Sequence, residues 1–119
     1  MGNPELNVRF DAVYYHVTDM ERSIRFYCDI LGMQLVSRDY VARFDLNGVL
    51  FELVPSPAGI ALTGTGNARL SLCAANIHEA SEALQARGVA TTPITKEDGG
   101  LLSFFHDPDG NELCLWQYI

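Results

Sequence analysis

Two stretches of this chain follow one plan in the same order, and that internal repeat limits the folds open to it more than any other feature. Val13-Tyr14-Tyr15-His16-Val17-Thr18-Asp19 leads into a helical pattern over 20–31 that stops at Gly32. Arg69-Leu70-Ser71-Leu72-Cys73-Ala74-Ala75-Asn76 leads in the same way into a helical pattern over 77–87 that stops at Gly88. Asp19 and Asn76 stand where a side-chain oxygen can accept the free amide hydrogens of a first helical turn, and a glycine suits the left-handed position after the last. Helical spacing places Met20, Ile24, Tyr27 and Leu31 on one apolar face of the first helix. Ile77, Ala80, Leu84 and Arg87 take the same places in the second, with Arg87 at the exposed end.

After each glycine the chain turns to short β-prone runs separated by turn signals. Residues 34–38 and 41–45 read as strands, and Asn47-Gly48 is a two-residue hairpin signal leading into a third strand over 49–54. Residues 91–95, 101–106 and 112–118 repeat the scheme, with turns at Glu97-Asp98-Gly99-Gly100 and Asp107-Pro108-Asp109-Gly110-Asn111. The reading is an α+β fold of two tandem βαβββ modules, over 8–54 and 68–119, joined by a linker over 55–67 within a single domain of residues 1–119. Gly64-Thr65-Gly66 lacks the strand and helix of a phosphate loop and belongs to that linker. Residues 107–110 resemble part of a calcium loop, yet they lack its closing glutamate and read as a hairpin turn.

A chain of 119 residues, 48% hydrophobic and 19% charged, can bury one core without staples. Cys28, Cys73 and Cys114 are odd in number and show no Cys-x-x-Cys spacing, so reduced thiols are expected rather than a disulfide framework or a zinc knuckle. A net charge of −7 with no cluster of basic and aromatic residues argues against nucleic acid as a partner. No apolar run approaches the ~18 residues of a membrane span, and the first ten residues lack the layout of a secretory signal. The expectation is a cytoplasmic protein with no membrane partner.

The segment Val17-x-Asp19-Met20-Glu21-x-Ser23-x-x-Phe26-Tyr27-x-x-x-Leu31-Gly32 resembles the opening helix of the vicinal-oxygen-chelate superfamily, which includes glyoxalases, bleomycin-resistance proteins and extradiol dioxygenases. Phe105-His106-Asp107-Pro108-Asp109-Gly110-Asn111 is similar to the last hairpin of that family, and Phe51-Glu52-Leu53-Val54 to the close of its first module. The likeness covers residues 10 to 119. It implies curved mixed sheets around a cavity, with a helix packed on the outer face of each. It does not select a function, because lyases, epimerases, dioxygenases, thiol transferases and drug-sequestering proteins share the scaffold.

On that scaffold strand alternation sorts residues by face. Ala12, Tyr14 and His16 then point into the cavity from the first strand, and Leu50, Glu52 and Val54 from the fourth. Arg69, Ser71 and Cys73 do so from the fifth, and Glu112, Cys114, Trp116 and Tyr118 from the eighth. The resemblance implies four metal-ligand places, which here are Ala12, Glu52, Arg69 and Cys114. Only Glu52 keeps a typical ligand, since alanine has no donor atom, arginine is permanently charged and cysteine is an unusual stand-in for a carboxylate. No metal or other cofactor is therefore expected, with a displaced divalent site using His16, Glu52 and Cys114 as the alternative. His16 lies four residues, or about 13 Å at strand rise, along the same face from Ala12. His78 and His106 have no partners at ligand spacing.

Convergence of the modules would bring Glu52 beside Arg69, either as a structural ion pair or with Arg69 as an anchor for an anionic or carbonyl oxygen. Tyr14, Trp116 and Tyr118 supply flat apolar surfaces with polar tips, suited to a ring-bearing or amphipathic molecule. The candidate ligand-binding set is Tyr14, His16, Glu52, Arg69, Ser71, Cys114, Trp116 and Tyr118. The first functional reading is a metal-independent small-molecule binder, of the drug-sequestering kind, working as a homodimer whose sheets enclose the cavity. The alternative is an enzyme, a glyoxalase-like lyase or isomerase with a displaced metal or a metal-free catalyst using His16 or Glu52 as base.

Overall fold

Both halves build the repeated unit. The computed structural model describes residues 6–56 and 66–119. The first unit runs β1 (Ala12–Val17), α1 (Met20–Arg25), a wider π-wound turn (Phe26–Ile30), β2 (Gln34–Arg38), β3 (Ala42–Leu46) and β4 (Val49–Pro55). The second runs β5 (Leu70–Cys73), α2 (Ile77–Ala86), β6 (Thr95–Glu97), β7 (Gly100–His106) and β8 (Glu112–Tyr118). The sheets have the orders β1-β4-β3-β2 and β5-β8-β7-β6. In each, the first strand pairs parallel with the last and the other pairings are antiparallel, because the helix carries the chain across the sheet after the first strand. The linker glycines 59 and 64 lie outside the described residues.

Alternation along the strands decides which side is core. Tyr15, Val17, Phe51 and Leu53 are buried under the first helix, whereas Tyr14, His16, Leu50, Glu52 and Val54 look to the opposite face. Phe51, Phe44 and Tyr27 have no exposed surface and pack with ring centroids 5.1 to 6.0 Å apart. Burial at this level is worth about 1.5–3 kcal/mol for each such ring. Asp19 and Asn76 cap the helices as expected, accepting from the amides of Arg22 and Glu79 at 3.1 Å. Gly32 and Gly88 take the left-handed conformation, with φ of 75° and 84°.

Two local expectations are corrected. The first helix is not α throughout, because Leu31 donates to the carbonyl of Phe26 five residues back at 3.1 Å. Phe26 and Tyr27 in this wider turn are both buried, their rings packed edge-on at 5.2 Å. The sixth strand begins at Thr95 rather than Thr91. Pro93 has no amide hydrogen to give a ladder, and of this stretch Thr92 alone joins β7, its amide donating to the Phe104 carbonyl at 2.9 Å and its hydroxyl accepting from the Phe104 amide at 2.8 Å.

The units meet along their β1 and β5 edges. The Tyr15 hydroxyl accepts from the Leu70 amide at 2.6 Å and donates to the Glu112 carbonyl at 3.2 Å, tying β1 to the starts of β5 and β8. The turn over 107–111 then reaches across to α1. Asp109 accepts from the Thr18 amide at 3.2 Å, from the Thr18 hydroxyl and from Arg22 Nη2 at 3.2 Å. Asp107 accepts from the Tyr27 hydroxyl at 2.8 Å, and Asn111 Nδ2 donates to the His16 carbonyl at 3.1 Å. Burial, and then the nearby Asp107 charge, hold the Tyr27 phenol far above its ordinary value of 10.0.

Candidate functional site

With the helices covering one face of each sheet, the other faces carry the candidate residues in rows set by strand register. On the first sheet Tyr14 lies beside Glu52, Glu52 beside Arg43 and Arg43 beside Ser37. Arg43 organises this row, with Nε donating to Glu52 Oε2 at 3.1 Å and Nη1 to Asp39 Oδ2 at 3.0 Å and Ser37 Oγ at 3.3 Å. The Val41 amide, and then Arg43, hold the Asp39 carboxyl below its ordinary range. His16 stands one row on, its ring set edge-on to Tyr14 at 5.6 Å. His16 Nδ1 is buried and has no hydrogen-bond partner among the described residues.

The second sheet carries a different chemistry. His106 lies beside Glu112, Phe104 beside Cys114, which is next to Ser71, and Leu102 beside Trp116, which is next to Cys73. Arg69, just ahead of β5, places Nε 2.7 Å from Glu112 Oε1 and its guanidinium carbon 5.4 Å from the centre of the Phe104 ring. His106 Nε2 lies 3.3 Å from the other oxygen of Glu112. Trp116 packs edge-on against Tyr118 at 5.6 Å. It rests on Gly100, where a Cβ would come within 2.3 Å of the indole Cζ2, so only glycine leaves room for the ring in this position.

The ion pair expected between Glu52 and Arg69 is not formed. The two residues sit on separate sheets, and each has a nearer partner: Arg43 directly across from Glu52 on β3, and Glu112 directly across from Arg69 on β8. His106 likewise has a carboxylate partner that spacing along the chain did not suggest. Arg43, Phe104, Gly100 and Glu112 join the candidate faces as residues that the binding set omitted. Hairpin register was the available signal, since Asn47-Gly48 sets Arg43 opposite Glu52. Tyr14, His16 and Glu52 are gathered on the first sheet; Ser71, Cys114, Trp116 and Tyr118, with Arg69, are gathered on the second. A cleft of 630 Å³ at the open end of the module junction takes in Ser71 from this set, with Asp45, Leu46, Val49, Leu70 and Cys73.

The four places implied for metal ligands do not fit a divalent ion. Ala12 offers no donor, Arg69 is cationic and held by Glu112, Glu52 is engaged by Arg43, and Cys114 is buried beside Phe104. Among the described residues no three His, Cys, Asp or Glu side chains gather at metal-binding spacing. No helix of the described residues is long and apolar enough to cross a membrane.

Paired βαβββ units with helices outside and open sheet faces inside define a fold class, and comparison with known proteins identifies it. The family model for the glyoxalase/bleomycin resistance protein/dioxygenase superfamily matches residues 9–115, and the chain belongs to that superfamily. It is 31% identical to lactoylglutathione lyase of Haemophilus influenzae, over 82% of this chain and 83% of that protein. It is 27% identical to lactoylglutathione lyase GLX1 of Arabidopsis thaliana over 93% of this chain, but spans only 44% of that protein's length. The structure of TnmS3, an antibiotic binding protein from Streptomyces sp. CB03234, has the same fold, with a TM-score of 0.72, 24% identity and coverage of 97% of this chain and 100% of that one.

Proposed function

We propose that this protein binds a small organic molecule on its open sheet faces without a catalytic metal, in the manner of a sequestering protein, and that two copies pair to enclose the ligand. The observation that carries the reading is the charge pattern at the four inherited ligand places: a guanidinium in place of a neutral donor, tied to a neighbouring glutamate, and a thiol in place of a carboxylate. A ligand oxygen can meet such a site directly, whereas a divalent cation is repelled by it. TnmS3, described as an antibiotic binding protein on this fold, supports a binding role. Dimerisation is supported by the exposed rings on the open faces, Tyr14 at 57% and Tyr118 at 73%, which a second copy would cover.

The second reading is a lyase or isomerase, and the specific observation in its favour is the 31% identity to a lactoylglutathione lyase. Buried His16 Nδ1, with Glu52 two strand positions off on the same face, would be its acid–base candidates. Elemental analysis of protein purified without chelator separates the readings. Less than about a tenth of an equivalent of zinc, nickel, iron or manganese is expected under the first; close to one per chain overturns it. A thermal-shift screen of small organic molecules, read on the intact protein, then tests binding itself.

A further inference from the structure

We infer that the open face of the second module takes a planar aromatic anion, of which a fused-ring arenecarboxylate is the simplest example, with its ring on Trp116 and its carboxylate on Arg69. This rests on the small-molecule reading above and goes beyond it by naming the ligand's chemistry. Arg69 is fixed in two ways that leave its binding end free. Glu112 takes Nε at 2.7 Å, and the Phe104 ring lies 5.4 Å below the guanidinium carbon. The terminal nitrogens Nη1 and Nη2 have no partner among the described residues, and together they form the fork that accepts both oxygens of a carboxylate. A cationic ligand would meet that same fork with like charge, and both oxygens of Glu112 are already turned to Arg69 and His106.

The ring site is fixed as firmly. Trp116 is the only tryptophan of the chain. Its indole lies on the bare backbone of Gly100 and is braced edge-on by Tyr118 at 5.6 Å, so it presents a pre-oriented aromatic surface rather than a mobile side chain. Along β8, Trp116 stands two residues beyond Cys114, the neighbour of Phe104, which places the aromatic row about 7 Å from the row over which Arg69 sits. A carboxylate attached to a fused bicyclic ring covers that span. A neutral ring would use the platform and leave the fork empty; an aliphatic acid would do the reverse.

The test uses the full chain and the single indole N–H resonance of Trp116, followed by NMR during titration with 2-naphthoate, the neutral 2-naphthamide, the cationic 2-naphthylmethylammonium and the non-aromatic cyclohexanecarboxylate. The expected result is a saturable shift with naphthoate and an affinity on the order of tenfold above that of the amide, with the amine and the cyclohexane acid weaker still. Arg69→Gln, whose exchange leaves the Trp116 platform in place, should bring naphthoate and naphthamide within about twofold of each other. Equal or tighter binding of the amide or the amine overturns the anion assignment while leaving small-molecule binding intact. Tight binding of the cyclohexane acid overturns the aromatic platform, and a preference for naphthoate that survives Arg69→Gln overturns the role of Arg69. If naphthoate fails to move the indole signal at millimolar concentration the inference falls, and the thermal-shift screen then decides whether the broader reading falls with it.

Discussion

Removing the Tyr27 hydroxyl should loosen the junction between the modules by an amount the geometry lets one bound. Tyr27 is fully buried, and its hydroxyl donates at 2.8 Å to Asp107, itself only 5% exposed. Asp107 also accepts from the Asn111 amide, Asn111 Nδ2 and the Asp109 amide, each at 2.9 Å. Tyr27→Phe therefore removes one of four donors and leaves the carboxylate served by three, at a cost of about 1–2 kcal/mol. Asp107→Ala instead takes the acceptor away from all four and strands a buried phenol, so about 3–5 kcal/mol is expected. In the double variant no hydroxyl is left stranded, and the combined loss should fall short of the sum by roughly 1–2 kcal/mol. Urea unfolding at one fixed protein concentration measures all three. A Tyr27→Phe protein within ~0.5 kcal/mol of the parent, or strictly additive losses, would refute the argument.

The same hydrogen bond sets an alkaline limit. The folded phenol of Tyr27 titrates above its ordinary value of 10.0, raised by burial and then by Asp107. Below that pH both folded and unfolded chains keep the proton and the contribution is complete. As pH climbs past it, the unfolded chain ionises and the folded one does not, so stability falls, by up to about 1.4 kcal/mol per pH unit from this group. Tyr27→Phe should be less stable at neutral pH yet show a shallower alkaline decline.

Other tests follow from the open faces. Gly100→Ala should cost about 1–3 kcal/mol and change Trp116 emission, because the new methyl must displace the indole; unchanged emission and melting temperature would disprove that seating. Glu52 should couple to Arg43 and not to Arg69: in double-mutant cycles with Glu52→Gln, Arg43→Ala should be non-additive and Arg69→Ala additive, the reverse result restoring the cross-module pair. Sedimentation at micromolar concentration should give a dimer, and a monomer there would remove the proposed second copy from the site.

Much of this fold could be read from the chain because the signals are local and repeated. Asp19, Asn76, Gly32 and Gly88 mark the helix ends by their own chemistry, and Asn47-Gly48 adopts the positive φ of 53° and 89° that such a hairpin demands. What escaped was set by non-local competition. Glu52 and Arg69 share a role in the inherited pattern, but a partner directly across a hairpin is nearer than one on another sheet, and the nearer one won. The π-wound turn was hidden because apolar positions spaced three or four apart fit an unbroken helix as well. Gly100 read only as part of a turn; its use as a seat for Trp116 depends on a register that places the indole over it.

The repeat also shows where the two halves parted. Matching the strand registers of the modules sets Asp45, Asn47 and Val49 in the places of Asp107, Asp109 and Asn111. In the second module the turn grips the first through the His16 carbonyl at the end of β1, Thr18, Arg22 of α1 and Tyr27 of the π-wound turn. At the other end of the junction the second module has Ala75, Glu79 and Leu84 where the first has Thr18, Arg22 and Tyr27, and Val49 cannot donate as Asn111 does. The counterpart of the grip is thereby lost, and the cleft between residues 45–49 and 70–73 lies there instead. One end of the junction is thus held by several side-chain hydrogen bonds to Asp107 and Asp109, whereas beside the cleft, among the described residues, the tie is the Tyr15 hydroxyl on the Leu70 amide and the Glu112 carbonyl. Relative motion of the sheets should therefore pivot about the Asp107–Asp109 end, and hydrogen exchange should be slow at the Thr18 and Asn111 amides but fast at the free edge of β5. Equal protection at both ends would mean that the lost grip has been replaced by contacts of another kind.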